Sequence, residues 1–230
     1  MSEWIMILIT GASSGLGAAL ARRYANMGEQ VVISGRDQAR LASVAQSSSG
    51  LHPLSADLCN EQSVATLLDG VDAMSGASPL STVIHCAGSG YFGPIAEQQA
   101  DEIAKLLQNN VTSSILLVRE LVRRYRDTPL NLVVVMSTAA QQAKAGESTY
   151  CAAKWAVRGF IESVRQELKG KPMKIIAVYP GGMDTGFWPS SGKSLDTSSF
   201  MSAEEAAEML QGALRATEHG HIADITIARG

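Results

Sequence analysis

Cysteine is scarce in this chain of 230 residues: Cys59, Cys86 and Cys151 stand far apart, are odd in number and form no CxxC pair. That excludes a disulfide framework and points to reduced thiols in a cytoplasmic setting. Of the four histidines only His219 and His221 lie close together. Their spacing matches no metal-ligand pattern, so no metal site is expected. No run of about 18 apolar residues is present, which argues against a membrane-spanning helix. A basic surplus is also missing, since the formal charge is −3, and nothing draws the chain to nucleic acid or anionic lipid. The opening "MSEWIMILITGASSG" has no basic residues ahead of its apolar stretch, so it reads as a first strand and not as a signal peptide. Hydrophobic residues at 46% and charged residues at 18% exclude a disordered chain.

What the sequence does hold is a repeated alternation. Apolar, strand-like runs fall at 4–10, 30–35, 51–56, 81–87, 131–137, 174–180 and 221–228. Several are continuous runs of Val and Ile, as expected of strands covered on both faces. Helical spacing fills the intervals. Leu16, Leu20 and Tyr24 step by four, and Ile103, Leu106, Leu107 and Leu121 mark one side of a long helix over 103–121. Asn60 is placed to cap a helix starting near Glu61, and "SAEE" makes a capping box with Ser202 at the N-cap and Glu205 three residues on. Alternation of this kind predicts a single α/β domain over 1–230, a doubly wound parallel sheet of seven strands with helices on both sides. Only 181–202, rich in Gly, Ser and Pro, lacks periodicity, and it is expected to be a substrate loop. Ligands of such sheets lie beyond the carboxyl ends of the strands, so the residues just after each strand carry the chemistry.

After the first strand comes "TGASSGLG", Thr10–Gly17. Glycines at 11, 15 and 17 allow close backbone approach to a pyrophosphate at the start of a helix, whose N–H groups and dipole favour an anion. The spacing is GxxxGxG, so the turn carries weight through its position and not by itself. At the end of the second strand an NAD site usually places an acid, whereas "ISGRDQ" places Arg36. A guanidinium suits a 2′-phosphate, which favours NADP(H) with NAD(H) as the alternative. Asp37 follows directly and suits an N-cap. Asp57 has two readings, an acceptor for the adenine amino group or a cap for the next helix.

Tyr150 and Lys154 in "STYCAAKW" are four apart, neighbours on one helical face. Alone the pair is surface decoration more often than chemistry. Together with the other motifs it is not. TGxxxGxG at 10–17, Asn110, Ser137, Tyr150-x-x-x-Lys154 and "PGGMDT" at 180–185 occur in order, and the pattern resembles the single-domain short-chain dehydrogenase/reductase family from first strand to last. The resemblance implies a Rossmann-like three-layer α/β/α fold and NADP(H)- or NAD(H)-dependent interconversion of a carbonyl and an alcohol. It implies Tyr150 as acid/base, Lys154 as its partner and ribose ligand, and Ser137 as the residue holding the substrate oxygen. Asn110 is implied as the residue positioning a relay water, with Asn109 the weaker candidate. For the cofactor it implies Gly11, Ser13, Ser14, Gly15, Leu16, Gly17, Arg36, Asp57, Leu58, Ala87, Gly88, Tyr150, Lys154, Pro180, Gly181 and Thr185. The expected consequence of the Lys154 ammonium is a Tyr150 phenol more acidic than usual. The family's frequent NNAG is replaced by "HCAG", His85–Gly88, where His85 and Cys86 are expected to pack or bond locally.

A homodimer or homotetramer is the family's habit. Leu116, Leu117, Leu121 and Phe160 fit such an interface and fit an internal core equally, and Arg158 and Arg165 fit solvent or a partner subunit. Met183, Phe187, Trp188 and Pro189, with Tyr91 and Phe92, outline an apolar substrate pocket or else anchor a loop. Two functions compete: a carbonyl reductase or alcohol dehydrogenase acting on a small molecule, and a non-catalytic NADP(H)-binding regulator or redox sensor. A sugar-nucleotide epimerase or dehydratase would want a larger substrate region than the short tail after "PGGMDT".

Overall fold

The computed structural model describes residues 5–76, 79–193, 195–215, 217 and 220–230; His219 and the start of the first expected strand lie outside them. In chain order the elements are β1 (Met6–Thr10), α1 (Gly15–Asn26), β2 (Gln30–Gly35), α2 (Gln38–Ala45), β3 (Leu51–Ser55), α3 (Glu61–Ser75) and β4 (Leu80–His85). Then come α4 (Ala100–Leu107), a π turn (Gln108–Thr112), α5 (Ser113–Tyr125), β5 (Asn131–Val135), α6 (Ser148–Glu167) and β6 (Lys174–Pro180). A two-residue β7 (Met183–Asp184), α7 (Phe187–Ser190), β8 (Met201–Ser202), α8 (Ala203–Arg215) and β9 (Asp224–Ile227) complete the chain. Seven strands form one sheet in the order β3-β2-β1-β4-β5-β6-β9. Every neighbouring pair in it is parallel.

The continuous apolar runs are explained by two cores, one on each face. Leu8, Val32, Val83 and Leu132 pack against α3, α5 and α6 through Leu68, Leu117, Leu121, Val157 and Ile161. Ile7, Ile9, Ile33, Val133 and Val178 point the other way, onto Leu16, Leu20 and Tyr24 of α1 and Ala206 and Leu210 of α8. Strand alternation thus serves both faces, and neither needs a polar residue. The result is the expected three-layer sandwich. Leu117 and Leu121 are fully buried in it, so they belong to the core and do not form an interface face.

Sequence-predicted caps hold. Asp37 accepts from the Arg40 amide at 3.0 Å, and Asn60 accepts from the Ser63 amide at 2.9 Å. Ser202 and Glu205 bond reciprocally, amide to side chain, at 3.1 and 2.7 Å. Asp57 is not the cap of α3; its Oδ1 accepts from the Cys59 amide at 3.0 Å. β2 and β6 span the expected 30–35 and 174–180, but β5 is shorter than its apolar run, and Ser137 therefore lies past it, as the N-cap of a 3₁₀ turn over Thr138–Ala140.

One expectation fails in an informative way. The single helix over 103–121 is two helices joined by the π turn. A π turn lengthens the ring by one residue and rotates everything after it by roughly 100° relative to an α-helix. Leu106 and Leu121 are buried on either side of the turn, whereas Leu107, on α4 ahead of it, is 40% exposed and leaves the anticipated stripe. Asn110 sits in the middle of this turn.

Candidate active site

The order of strands reverses between β1 and β4, and a cleft of about 510 Å³ opens beyond their carboxyl ends. Its floor is glycine. Gly11 has φ +69°, and a Cβ built on it would meet Ala87 N at 2.5 Å. Gly17 would meet Gly11 O at 2.5 Å. No side chain fits at either point, so the turn and the Ala87–Gly88 segment lie backbone to backbone. Ser13, Ser14 and Leu16 line the same wall. The first turn of α1 carries no acidic residue and Ser14 makes no side-chain cap. The positive end of the helix dipole is left facing the cleft.

At one end of the cleft stand Arg36, Asp57 and Leu58, joined by Arg40 and Cys59. Arg36 Nη1 donates to Asn109 Oδ1 at 3.1 Å. Asn109 therefore faces this cationic end, whereas Asn110 is 1% exposed. Sequence reasoning missed Arg40, although its signal was present: it lies four residues after Arg36, on the helix that Asp37 caps.

At the other end Ser137, Tyr150, Lys154, Pro180, Gly181 and Thr185 come together. Thr185 closes over the glycine turn, its Cγ2 lying 3.7 Å from a Cβ built on Gly15. Lys154 Nζ is 5.6 Å from the centroid of the Tyr150 ring. Both residues are buried on the first turns of α6. The expected acid phenol is not what this arrangement produces. Burial pushes the Tyr150 hydroxyl above its ordinary range; Ser137 draws it back, and Glu147 and Cys151 push it further up. The same burial lowers Lys154 to about 8, with Cys86 opposing. Desolvation acts on both members of the pair and weakens the cation that was to acidify the phenol.

Asn110 does not line the cleft but lies behind it. Its Nδ2 donates to the carbonyls of Ser89 and Leu106, both at 2.9 Å. Its buried Oδ1 has no partner among the described residues. A Cβ built on Gly88 would stand 2.8 Å from that oxygen and 3.3 Å from Lys154 Nζ. Gly88 is thus the window through which both groups face one point.

Over Tyr150 lies an aromatic roof. Phe92 meets the Tyr150 ring edge-on at 5.2 Å, Phe187 is 5.9 Å from it, and Trp188 stacks on Phe92 at 5.7 Å. Gly90 permits this closure, since any Cβ there would touch Phe187 Cζ at 2.7 Å. Tyr91 packs against the same cluster around Tyr150, and its hydroxyl accepts from the Gln99 backbone amide at 2.9 Å. Lys193 reaches over Phe92 and donates to the buried Glu147 at 3.1 Å, a pair the sequence did not announce. Arg158 and Arg165, which fit solvent or a partner subunit on sequence grounds, are both tied to the chain's own backbone. Arg158 donates to Ala140 O at 3.0 Å, and Arg165 bonds Ile175 O at 3.2 Å and pairs with Glu162 and Asp224.

The glycine cradle and the uncapped helix end suit the pyrophosphate of a dinucleotide on grounds of shape and charge, and Arg36 and Arg40 line the same cleft. Among the described residues there is no group of His, Cys, Asp and Glu that could hold a metal ion, and no helix long and apolar enough to cross a membrane. Comparison with known proteins agrees with the geometry. Residues 5–196 match the short chain dehydrogenase family model. A crystal structure of a short-chain dehydrogenase/reductase from Vibrio parahaemolyticus is 56% identical, covers 97% of this chain and 96% of its own, and superposes with a TM-score of 0.88. A short chain dehydrogenase/reductase family oxidoreductase from Aeromonas hydrophila is 34% identical, with 98% and 100% covered and a TM-score of 0.81. An uncharacterized oxidoreductase of Staphylococcus aureus (strain MW2) is 26% identical over 227 residues, 96% of this chain and 95% of that protein. With a family match over most of its length, the chain belongs to the short-chain dehydrogenase/reductase family of NAD(P)-dependent oxidoreductases.

Proposed function

We propose that the protein reduces an apolar carbonyl compound with NADPH, and runs the reverse oxidation under suitable conditions. The observation carrying this reading is the convergence of Ser137, Tyr150 and Lys154 at one end of a cleft whose other end holds Arg36 and Arg40. The glycine turn with Ser13, Ser14 and Leu16 would hold a pyrophosphate. Asp57 and Leu58 would border the adenine, and the two guanidiniums would hold a 2′-phosphate. Ala87 and Gly88 would accommodate the nicotinamide ribose with Tyr150 and Lys154, and Pro180, Gly181 and Thr185 would close the nicotinamide end. When bound there, the reduced nicotinamide supplies the hydride.

The chain's own groups then do the rest. A carbonyl oxygen gaining negative charge needs donors already in place. Tyr150 Oη carries a proton that burial keeps on it, and Ser137 Oγ offers a second hydrogen bond. Lys154, charged below about pH 8, stabilises the phenolate left behind. Asn110 Oδ1, facing the same point as Lys154 Nζ through Gly88, is suited to hold a water that returns the proton. Phe92, Phe187 and Trp188 exclude bulk water and favour an apolar substrate. In this reading 1–230 is one catalytic domain, and 181–202 is its substrate loop.

Two measurements test the proposal. Ketones, aldehydes, quinones and 3-oxoacyl thioesters are presented with NADPH and NADH side by side, and saturable NADPH oxidation with an apolar carbonyl is expected. A protein that binds NADPH and turns over none of them would be left as a cofactor-responsive regulator. In Arg36→Ala one charged hydrogen-bonding partner is lost, worth about 1.5–3 kcal/mol. KM for NADPH should rise about 10- to 100-fold, with NADH affected less than about threefold. Equal losses with both cofactors would overturn the 2′-phosphate assignment.

A further inference from the structure

His85 occupies the position where the family often has asparagine, and its surroundings are more specific than local packing. It ends β4 at 1% exposure. One ring nitrogen, Nδ1, is 2.7 Å from Thr10 Oγ1, and the other, Nε2, is 3.0 Å from Ser114 Oγ. The Ser114 hydroxyl in turn donates to the carbonyl of Asn110 at 2.6 Å.

A serine has one proton to give. With that proton committed to Asn110, Ser114 Oγ must accept from the imidazole, so His85 is the Nε2–H tautomer. Nδ1 is then a lone pair and accepts from Thr10. The four residues form one directional chain, Thr10 to His85 to Ser114 to Asn110. Its start lies one residue before Gly11, and its end lies within the π turn. The neighbouring Ser113 makes the same backward bond, to Asn109 O at 2.7 Å, but among the described residues no histidine bonds to it. Burial drives the imidazole down to about 3, with Lys154 acting in the same sense. The ring therefore stays neutral, and its tautomer is fixed.

We infer that His85 is a positioning residue: through Ser114 it holds the carbonyl of Asn110, and with it the π turn, in the register that aims Asn110 Oδ1 at the space beside Lys154. The inference rests on the reading of Asn110 and Lys154 given above. A serine that bonds back to the preceding turn bends a helix, and here that bend is tied to the two strands flanking the cleft. The arrangement also accounts for the departure from NNAG. A histidine spans from Thr10 to the helix beyond, with a donor and an acceptor at opposite ends of one rigid ring.

The test begins with nitrogen NMR of the full chain, the His85 signal being assigned by its loss in His85→Gln. A neutral Nε2–H ring is expected from about pH 5 to 8. The opposite tautomer, or titration within that range, would overturn the inference. Ser114→Ala removes the link in a helix that favours alanine. It should lower kcat about tenfold, leave the NADPH Kd within about twofold, and shift the Asn110 side-chain amide resonances. His85→Asn places its polar atoms near Nδ1 only and should lose as much. His85→Gln places a donor near Nε2 and should recover at least about a third of the wild-type kcat. A Ser114→Ala protein with normal kcat and unmoved Asn110 resonances would refute the proposal, and so would equal kcat values for His85→Asn and His85→Gln. A wild type that reduces no carbonyl would sink the enzymatic reading, and the tautomer and amide resonances would still decide this one.

Discussion

Tyr150→Phe should lose about a thousandfold in kcat while binding NADPH within about threefold of wild type and melting within a few degrees of it. The magnitude follows from the role. A positioned general acid contributes about 10²- to 10⁴-fold, and a thousandfold is about 4 kcal/mol of transition-state stabilisation. The selectivity follows from the packing. Phenylalanine keeps the ring that meets Phe92 at 5.2 Å and Phe187 at 5.9 Å, and keeps the face from which Lys154 Nζ stands 5.6 Å away. Only the hydroxyl goes. Burial raises the phenol above its ordinary range, so below that range Tyr150 is protonated and ready to donate. Reduction should therefore vary little with pH near neutrality. Oxidation of the alcohol needs the deprotonated form, so its kcat/KM should climb as pH rises. Steady-state rates in both directions, with cofactor affinity from quenching of protein fluorescence, decide the matter. More than about a tenth of the wild-type kcat in Tyr150→Phe would remove the tyrosine from the chemistry.

The sign of that shift was the least legible part of the site. Once the pair is read as catalytic, the lysine ammonium is expected to acidify the tyrosine. Within the fold both side chains leave water, and desolvation outweighs the attraction because Lys154 is itself made less basic. Burial is a tertiary property, and no local motif reports it. The glycine turn was legible because Gly11 needs a positive φ, a local demand that glycine meets without strain; the contact with Cys86 and Ala87 that also excludes a Cβ there is tertiary and was not. The central strands were legible because a sheet covered on both faces leaves them long apolar runs, as in MILIT of β1 and NLVVV of β5. The π turn was not, since the sequence of an α-helix and of a helix with one extra residue differ in no fixed way. Arg40 could have been found by stepping four residues from Arg36. The Glu147–Lys193 pair joins the start of α6 to the expected substrate loop, and nothing in either segment names the other.

The second large effect belongs to Gly11→Ala, which should both destabilise the protein and abolish tight cofactor binding. Two penalties combine. At φ +69° any L side chain costs about 1–2 kcal/mol. The added Cβ would also lie 2.5 Å from Ala87 N, 2.7 Å from Ala87 Cα and 2.7 Å from Cys86 C. All three are backbone atoms, so no side chain can rotate out of the way. The strands themselves must part, and they are held at this point by the Cys86 amide donating to Thr10 O at 3.0 Å. Overpacking of that kind costs about 1–3 kcal/mol, for a combined loss of about 2–5 kcal/mol and a Tm lower by roughly 10 °C. Gly28→Ala is the control. Gly28 also has a positive φ, +91°, but nothing lies within 4 Å of its would-be Cβ, so only the backbone penalty applies. It should lose about 1–2 kcal/mol and bind NADPH normally. Chemical denaturation and fluorescence titration of the two variants separate conformational strain from steric displacement of the cradle. If Gly11→Ala were no less stable than Gly28→Ala and still bound NADPH as the wild type does, the contact between the glycine turn and the Ala87–Gly88 segment would not be what shapes the cleft.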